Sequence, residues 1–175
     1  AALRRLMEGG DIAFDRAWVR RPGHSVTFLA EDEALWRNIA GHLQPHPYRP
    51  PRVRDIARVL DVDESVVRRV MRLAARRGDL EEIAQDHFFT LASVQAMAAI
   101  AIDIAERTPA GRFTAADLRD RLDNGRKVAI QILEFFDRHG FTIRRGDLRW
   151  INPVRIGIFA PSPALQQTRR SPAPG

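Results

Sequence analysis

The fold is decided by residues 117–149, which read DLRDRLDNGRKVAIQILEFFDRHGFTIRRGDLR. The first residues predict a short helix, which Asp123-Asn124-Gly125 interrupts. A broad apolar face then follows at helical spacing over residues 128–136, and this predicts a longer helix whose apolar face is core. Two extended runs lie within residues 141–152, on either side of Gly146-Asp147. The stretch therefore predicts two helices joined by a turn and followed by a two-stranded hairpin.

The same order occurs once before, 62 residues earlier, because Asp55 aligns with Asp117. The aligned positions are acidic–apolar pairs and glycine stops, namely Asp55-Ile56 with Asp117-Leu118, Leu60-Asp61 with Leu122-Asp123, and Gly78 with Gly140. A further helix is predicted before each copy, at 31–42 and 91–107. Helix, helix, turn, recognition helix and two-stranded wing is the order of a winged helix. The repeat therefore predicts tandem winged-helix (helix-turn-helix) modules, mainly α with short β-wings (α+β).

This repeat divides the chain into four parts. Residues 1–30 fit the C-terminal part of a truncated winged helix, which suggests a fragment of a longer protein. Within them we expect a helix at 1–7 and three extended runs at 12–14, 18–20 and 26–29. A turn at 21–23 precedes the third run. Residues 31–90 and 91–155 are complete modules, and 156–175 is predicted to be a disordered tail. Short connections between modules predict an elongated array.

Composition excludes several classes of protein. The chain has no cysteine, which rules out a disulfide scaffold, a cysteine nucleophile and a thiolate metal site. It has no signal-peptide pattern, and no apolar run approaches the roughly 18 residues needed to span a bilayer. A soluble, cytoplasmic protein without a membrane partner is expected. The formal net charge of +6, with 27 arginines and Lys127 as the only lysine, makes nucleic acid the first partner to test.

The sequence contains no catalytic constellation. His42 and His46 have the spacing of a metal pair on a helix, but Pro45 and Pro47 break that helix and no third ligand is evident. We therefore predict neither an enzyme active site nor a metal site. The sequence also lacks the GxxxxGK[ST] phosphate loop, so no nucleotide cofactor is expected to bind this chain.

The basic residues that favour RNA gather in the second complete module. Arg126 and Lys127 begin its long helix, where backbone N–H groups without helical acceptors favour a phosphate. Arg144, Arg145 and Arg149 surround the wing turn. The first complete module has an acidic wing instead, with Asp79, Glu81, Glu82 and Asp86 and no arginine, and would repel phosphate.

Two helical stripes are predicted to face solvent. In the earlier module the stripe carries Arg69, Arg72 and Arg76, which could follow a phosphate backbone or remain a solvated face. In the later module it is nearly neutral, with Lys127, Gln131, Glu134 and Arg138. A DNA reader more often presents a strongly basic recognition helix, and a compact site at a helix start and wing suits an RNA hairpin loop. A DNA-binding transcriptional regulator and a protein–protein scaffold remain alternatives.

The later module closely resembles a known family at an ordered series of segments, namely 113–122, 124–127, 133–138, 140–142 and 144–149. It is similar to the C-terminal winged helix of the bacterial selenocysteine-specific translation elongation factor (SelB) family, whose motif is FT…RD.L..SRK.A..LLE.FD..GFT.R.GD.R. The middle module resembles the penultimate winged helix of that family less distinctively. Gly125 stands where the family usually has serine, which removes a helix-capping hydroxyl.

The resemblance implies a function. In this family four winged helices follow a GTPase body, and the last one grips the SECIS hairpin of a messenger RNA to recode UGA as selenocysteine. The implied RNA contacts are Arg121, Gly125, Arg126, Lys127, Arg144, Arg145, Gly146 and Arg149. Independently of the resemblance, the stripe of Arg69, Arg72 and Arg76 is a hypothesis for a secondary contact to RNA, including RNA of the ribosome. GTP, Mg and selenocysteinyl-tRNA would bind an N-terminal part absent from this chain. The fragment is expected to be a monomer.

Overall fold

The computed structural model describes strand residues 13–15 and 18–20 and the continuous chain from residue 27 to residue 160. Strands β1 (Ala13–Asp15) and β2 (Trp18–Arg20) pair antiparallel, with Ala13 opposite Arg20. Two of the expected extended runs are thus strands, whereas residues 27–29 belong to no strand although the backbone of Leu29 is extended. The expected helix at 1–7, the turn at 21–23 and residues 161–175 lie outside the described residues.

The first complete module contains three helices and a hairpin. Its elements are α1 (Ala30–Leu43), α2 (Val53–Leu60), α3 (Glu64–Arg77), β3 (Leu80–Ala84) and β4 (His87–Thr90). The hairpin pairs Leu80 with Thr90 and shifts register between Glu82 and Ala84. We call this unit the middle module.

The second complete module repeats that order. Its elements are α4 (Leu91–Arg107), a 3₁₀ turn (Pro109–Gly111), α5 (Ala115–Leu122), α6 (Arg126–Arg138), β5 (Thr142–Arg145) and β6 (Leu148–Ile151). The antiparallel hairpin pairs Arg144 with Arg149. We call this unit the last module, its hairpin the last wing, and α3 and α6 the recognition helices. The predicted fold of tandem winged helices is confirmed.

Local sequence sets the ends of the helices. At the start of α5, Thr114 and Asp117 form a capping box, in which the Thr114 N–H donates to Asp117 Oδ2 at 2.7 Å. Asp123 ends α5 in the left-handed conformation, with φ at 47°, as Asp61 does for α2 with φ at 52°. Gly78 ends α3 with φ at 96°, where a side chain would be strained. The equivalent turns of the two modules therefore use the same backbone geometry.

Each recognition helix packs on a core, and the two modules share one of these cores. The middle module's own cluster includes Ile39, Val67 and Phe88, all fully buried. Two side chains of the middle wing, Ile83 on β3 and Phe89 on β4, belong instead to the core of the last module. Since the middle wing helps to build the neighbouring core, the two modules are joined by apolar packing as well as by the chain.

The last module continues past the predicted boundary at residue 155. Phe159 is only 3% exposed, and its ring centroid lies 5.4 Å from those of Phe136 and Phe141. The prediction that disorder begins at residue 156 is therefore wrong for 156–160. Burial of the Phe159 ring among other phenylalanine rings stabilises this segment. The polar and proline-rich composition of the C-terminal residues did not predict that contact.

None of the helices that the structure describes is long and apolar enough to cross a membrane. The described residues also contain no group of three or more side chains that could hold a metal ion.

Candidate nucleic-acid interface

The start of α6 is open to an external anion. Its N-cap residue is Gly125, which has no side chain to accept from the first turn. The N–H groups of Arg126 and Lys127 are the first two of the helix and have no helical acceptor. Both side chains are exposed, and neither forms an ion pair with any residue that the structure describes. Two cations and the positive end of the helix dipole thus face solvent together.

An open groove adjoins this helix start. It runs between the first turn of α5, one side of α6 and the turn of the last wing. Arg126, Ile130 and Glu134 follow one another along α6 at intervals of one turn and form one wall. Arg144 and Asp147 of the last wing form the other wall. Each of these two walls therefore carries one arginine and one carboxylate.

Arg149 lies at the floor of this groove, not on the surface of the wing. Its side chain is only 4% exposed, and Nε donates to Asp137 Oδ2 at 3.1 Å. Thr142 Oγ1 donates to the other oxygen of Asp137 at 2.5 Å, and the Arg149 backbone pairs with Phe113 in both directions at 2.9 Å. Arg149, which is predicted as an RNA contact, is therefore a buried side chain. Since the guanidinium still lines the groove, it holds a fixed position there.

The two neighbouring wing arginines point to opposite faces of the hairpin. Arg144 pairs across the hairpin with Arg149 and shares its face, whereas Arg145 points the other way because side chains alternate along a strand. Arg144 is exposed, and its Nε donates to the carbonyl oxygen of Gly146 at 2.9 Å. Gly146 has φ at 62°, which the tight turn requires. Of Arg144, Arg145 and Gly146, only Arg144 lines the groove.

Two other predicted contacts have different surroundings. Arg121 does not line the groove. Its side chain is directed to α4 instead, where Nη2 lies 2.6 Å from Asp103 Oδ2. Gly125 is exposed, and a Cβ built on it would have no heavy atom within 4 Å apart from its chain neighbours. Serine, the residue more usual in this family pattern, would therefore fit at position 125.

The arginine stripe on α3 is not a uniform cationic surface. Arg69 donates to both oxygens of the buried Asp32 at 2.7 and 2.8 Å, and this ties α3 to α1. Those hydrogen bonds and the positive charge hold the pKa of Asp32 below its ordinary value against the effect of burial. Arg72 lies 3.8 Å from Glu82. Arg76 is exposed and forms no ion pair within the described part of the chain.

Sequence reasoning missed the seam between the two modules. The stripe on α6 that was expected to face solvent contacts the middle module at two positions. Gln131 Oε1 accepts from Arg52 Nη2 at 3.5 Å and lies 3.4 Å from His87 Nδ1. Arg138 Nη2 donates to the carbonyl oxygen of Ile83 at 2.9 Å. The expectation of a solvated stripe is therefore wrong at the partly buried Gln131, whereas Arg138 is exposed as expected although it also contacts Ile83. Only the packing of distant elements could reveal these contacts.

Comparison with protein families gives a match for each complete module. The family described as "Elongation factor SelB, winged helix" matches residues 107–151. The family described as "Selenocysteine-specific elongation factor, winged helix domain" matches residues 28–89.

Curated relatives carry the same description along more of the chain. The selenocysteine-specific elongation factor of Escherichia coli (strain K12) is 37% identical over 145 residues, which are 83% of this chain. That of Haemophilus influenzae is 32% identical over 142 residues, which are 81% of this chain. The chain spans only 23% of the length of each relative.

Solved structures agree with the observed fold. The mRNA-binding domain of elongation factor SelB from E. coli, in complex with SECIS RNA, is 37% identical with a TM-score of 0.64. The match covers 71% of this chain and 99% of that one. A crystal structure of the bacterial selenocysteine-specific elongation factor EF-Sec is 14% identical with a TM-score of 0.54, and covers 86% of this chain and 23% of that one. At that identity the second likeness concerns the fold alone.

Proposed function

The chain belongs to the winged-helix region of the selenocysteine-specific elongation factor (SelB) family, and from this premise we propose that its last module binds the SECIS hairpin of a messenger RNA. The related E. coli domain, 37% identical, is described in complex with SECIS RNA. The observation in this chain that carries the proposal is the uncapped start of α6, where Arg126 and Lys127 are exposed and unpaired within the described residues.

Phosphates of the hairpin would bind at the helix start. The N–H groups of Arg126 and Lys127 can donate to phosphate oxygens, and the two side chains add charge-assisted hydrogen bonds. Arg144, on the opposite wall of the groove, would contact the backbone from the wing side. The same RNA strand can therefore be held between a helix start and a wing, as the family resemblance implies.

The groove itself favours a base or a sugar over a phosphate. Glu134 and Asp147 line it, and their carboxylates repel phosphate. Arg149 at the floor is held by Asp137, so its guanidinium is preorganised to donate to an acceptor that enters. Single-stranded loops of RNA offer such unstacked bases, whereas an A-form duplex does not.

The remaining predicted contacts are weaker parts of the same proposal. Arg145, on the outer face of the wing, and Arg121, paired with Asp103, would contact flanking phosphates only. Gly125 and Gly146 would let the RNA backbone approach the main chain closely. Arg76 and, less directly, Arg69 and Arg72 remain a proposed secondary contact to RNA of the ribosome.

The activity of the whole factor is also part of the proposal. As in the family, a GTPase body beyond this chain would bind GTP and Mg, carry selenocysteinyl-tRNA and act on the cytoplasmic ribosome. This chain would supply the recognition of the mRNA that recodes UGA. We propose that it does so as a monomer.

The test is a fluorescence titration of the protein with a SECIS-type hairpin and with duplex DNA of random sequence. We expect the hairpin to bind at least about a hundredfold more tightly than the duplex. The variant Arg126→Ala/Lys127→Ala should lose most of this affinity, while the charge-matched control Arg37→Ala/Arg107→Ala should retain it. Equal affinity for both nucleic acids would favour a DNA-binding regulator, and no binding to either would favour a protein scaffold.

A further inference from the structure

A basic segment of the middle module reaches the last module beside the start of α6. Residues 44–58 read QPHPYRPPRVRDIAR and contain four arginines against one acidic residue. Tyr48 in this segment packs against the core of the last module. Next to it, Arg49 Nη2 lies 3.6 Å from Asp123 Oδ1. Since Asp123 is two residues before the N-cap of α6, Arg49 lies at the turn that presents Arg126 and Lys127.

A second arginine of the segment lies farther along the same side of α6. Arg52 Nη2 donates to Gln131 Oε1 at 3.5 Å. Lys127 is one helical turn before Gln131 and therefore occupies the same side of the helix. Arg49 and Arg52 thus flank Lys127, one at the turn before α6 and the other beside its second turn.

The present contacts of these two arginines are weak enough for both side chains to bind an anion instead. Arg49 is 57% exposed and its partner Asp123 fully exposed, so their pair contributes little in water. The hydrogen bond of Arg52 to Gln131 goes to a neutral amide and leaves the positive charge in place. A phosphate at this side of α6 would meet two guanidinium groups in addition to Lys127.

We propose that Arg49 and Arg52 form, together with Arg126 and Lys127, one phosphate-binding surface that crosses from the middle module to the last module and contacts the stem of the bound RNA. This inference rests on the proposed function and extends it. The last module reads the loop, and the middle module adds stem contacts that neither the sequence repeat nor the family resemblance assigns. The partner is the phosphate backbone, so these contacts depend on charge and not on base sequence.

The test measures hairpin affinity and its salt dependence for Arg49→Gln, Arg52→Gln and the double variant, with Arg37→Gln/Arg107→Gln as control. Each lost phosphate contact should reduce the slope of log K against log salt by about 0.7 to 0.9. The double variant should bind several-fold more weakly than the control. Asp123→Asn should bind more tightly than wild type, since it removes the competing carboxylate. A hairpin with a shortened stem should lose the effect of Arg49→Gln and retain that of Arg126→Ala.

Unchanged affinity and slope for Arg49→Gln and the double variant, while Arg126→Ala/Lys127→Ala still weakens binding, would overturn this inference and leave the proposed function intact. Failure of the wild-type chain to bind any hairpin would instead reject the proposed function. Arg49→Gln removes no buried contact, so a loss of affinity in that variant cannot be attributed to misfolding. Unfolding midpoints of all variants provide the check for Arg52→Gln.

Discussion

The two recognition helices begin at equivalent positions of the same fold. They differ in whether an N-cap side chain accepts a hydrogen bond from the N–H groups of the first turn. In α3 the N-cap is Asp63, whose Oδ1 accepts from the Ser65 N–H at 2.7 Å. Hydrogen bonds from Ser65 hold the pKa of Asp63 below its ordinary value, so the carboxylate stays charged. In α6 the N-cap is Gly125 and offers no acceptor. One helix start contains its own anion, and the other leaves the place of an anion open.

The two wings also differ in how much of their surface is open to a ligand. The middle wing is an internal structural element, because Ile83 and Phe89 are buried in the neighbouring core. The last wing keeps its tip exposed, with Arg144, Arg145 and Gly146 all accessible. The same fold thus occurs once as a module that builds the seam and once as a module that presents an open surface. The difference lies mainly in a few side chains, since the order of helices and strands is the same in both modules.

The largest effect is expected where an arginine–aspartate pair ties each recognition helix to its wing. In the last module the pair is Asp137–Arg149, with 19% and 4% of the side chains exposed; in the middle module it is Arg68–Asp86, with 27% and 26% exposed. Asp137→Asn leaves a buried guanidinium without its counter-charge and should lower the free energy of unfolding by about 3 kcal/mol. Asp86→Asn, the matched variant, should cost about 1 kcal/mol. Urea unfolding measures both, and equal losses would show that burial does not distinguish the two pairs.

The sequence predicted much of this comparison. The 62-residue repeat located both recognition helices, and Arg126, Lys127 and Arg144 are exposed as expected of binding residues. The repeat could not predict the burial of Arg149, which depends on Asp137 lying beneath the wing. Nor could it predict the seam at Gln131, because contacts between modules join residues that are far apart in the sequence.

The next effect concerns RNA affinity. Arg144→Ala removes the wing cation from the groove and should weaken hairpin binding by about 1–3 kcal/mol if the contact reads a base, and less if it meets only a phosphate. Arg72→Ala, which removes an exposed arginine from the middle recognition helix, should change isolated hairpin binding much less. Titration of both variants with the same hairpin measures the difference. A larger loss for Arg72→Ala would show that the hairpin binds the middle module and not the last module.

A smaller effect follows from exchanging the caps. Gly125→Asp would give α6 the same N-cap residue as α3, and the site has room for the added Cβ. The variant should stabilise the protein by about 0.5–1 kcal/mol and weaken hairpin binding, since its carboxylate occupies the phosphate position. Gly125→Ser separates the two contributions, because it caps the helix without adding charge. If Gly125→Asp bound the hairpin as well as Gly125→Ser does, the open helix start would not be the phosphate site.

The smallest effect is expected from pH at the seam. Burial lowers the pKa of His87 from its ordinary 6.5, and the nearby charge of Arg52 acts in the same direction. The unfolded chain therefore binds a proton more readily than the folded chain, so stability falls as the pH drops below about 6.5. His139 is only partly buried, but that burial lowers its pKa in the same direction, so it contributes likewise. His87→Gln should reduce the slope of unfolding free energy against pH between about 7 and 5. An unchanged slope would show that the pKa of His87 does not differ between the folded and the unfolded chain.

The most direct measurement of the central claim follows the backbone amides of the two helix starts by NMR during titration with the hairpin. The open start of α6 predicts that the amide signals of Arg126 and Lys127 shift strongly as phosphate binds. The amide signals of Glu64 and Ser65, at the self-capped start of α3, should move little. Large shifts at Glu64 and Ser65 with none at Arg126 and Lys127 would contradict the account.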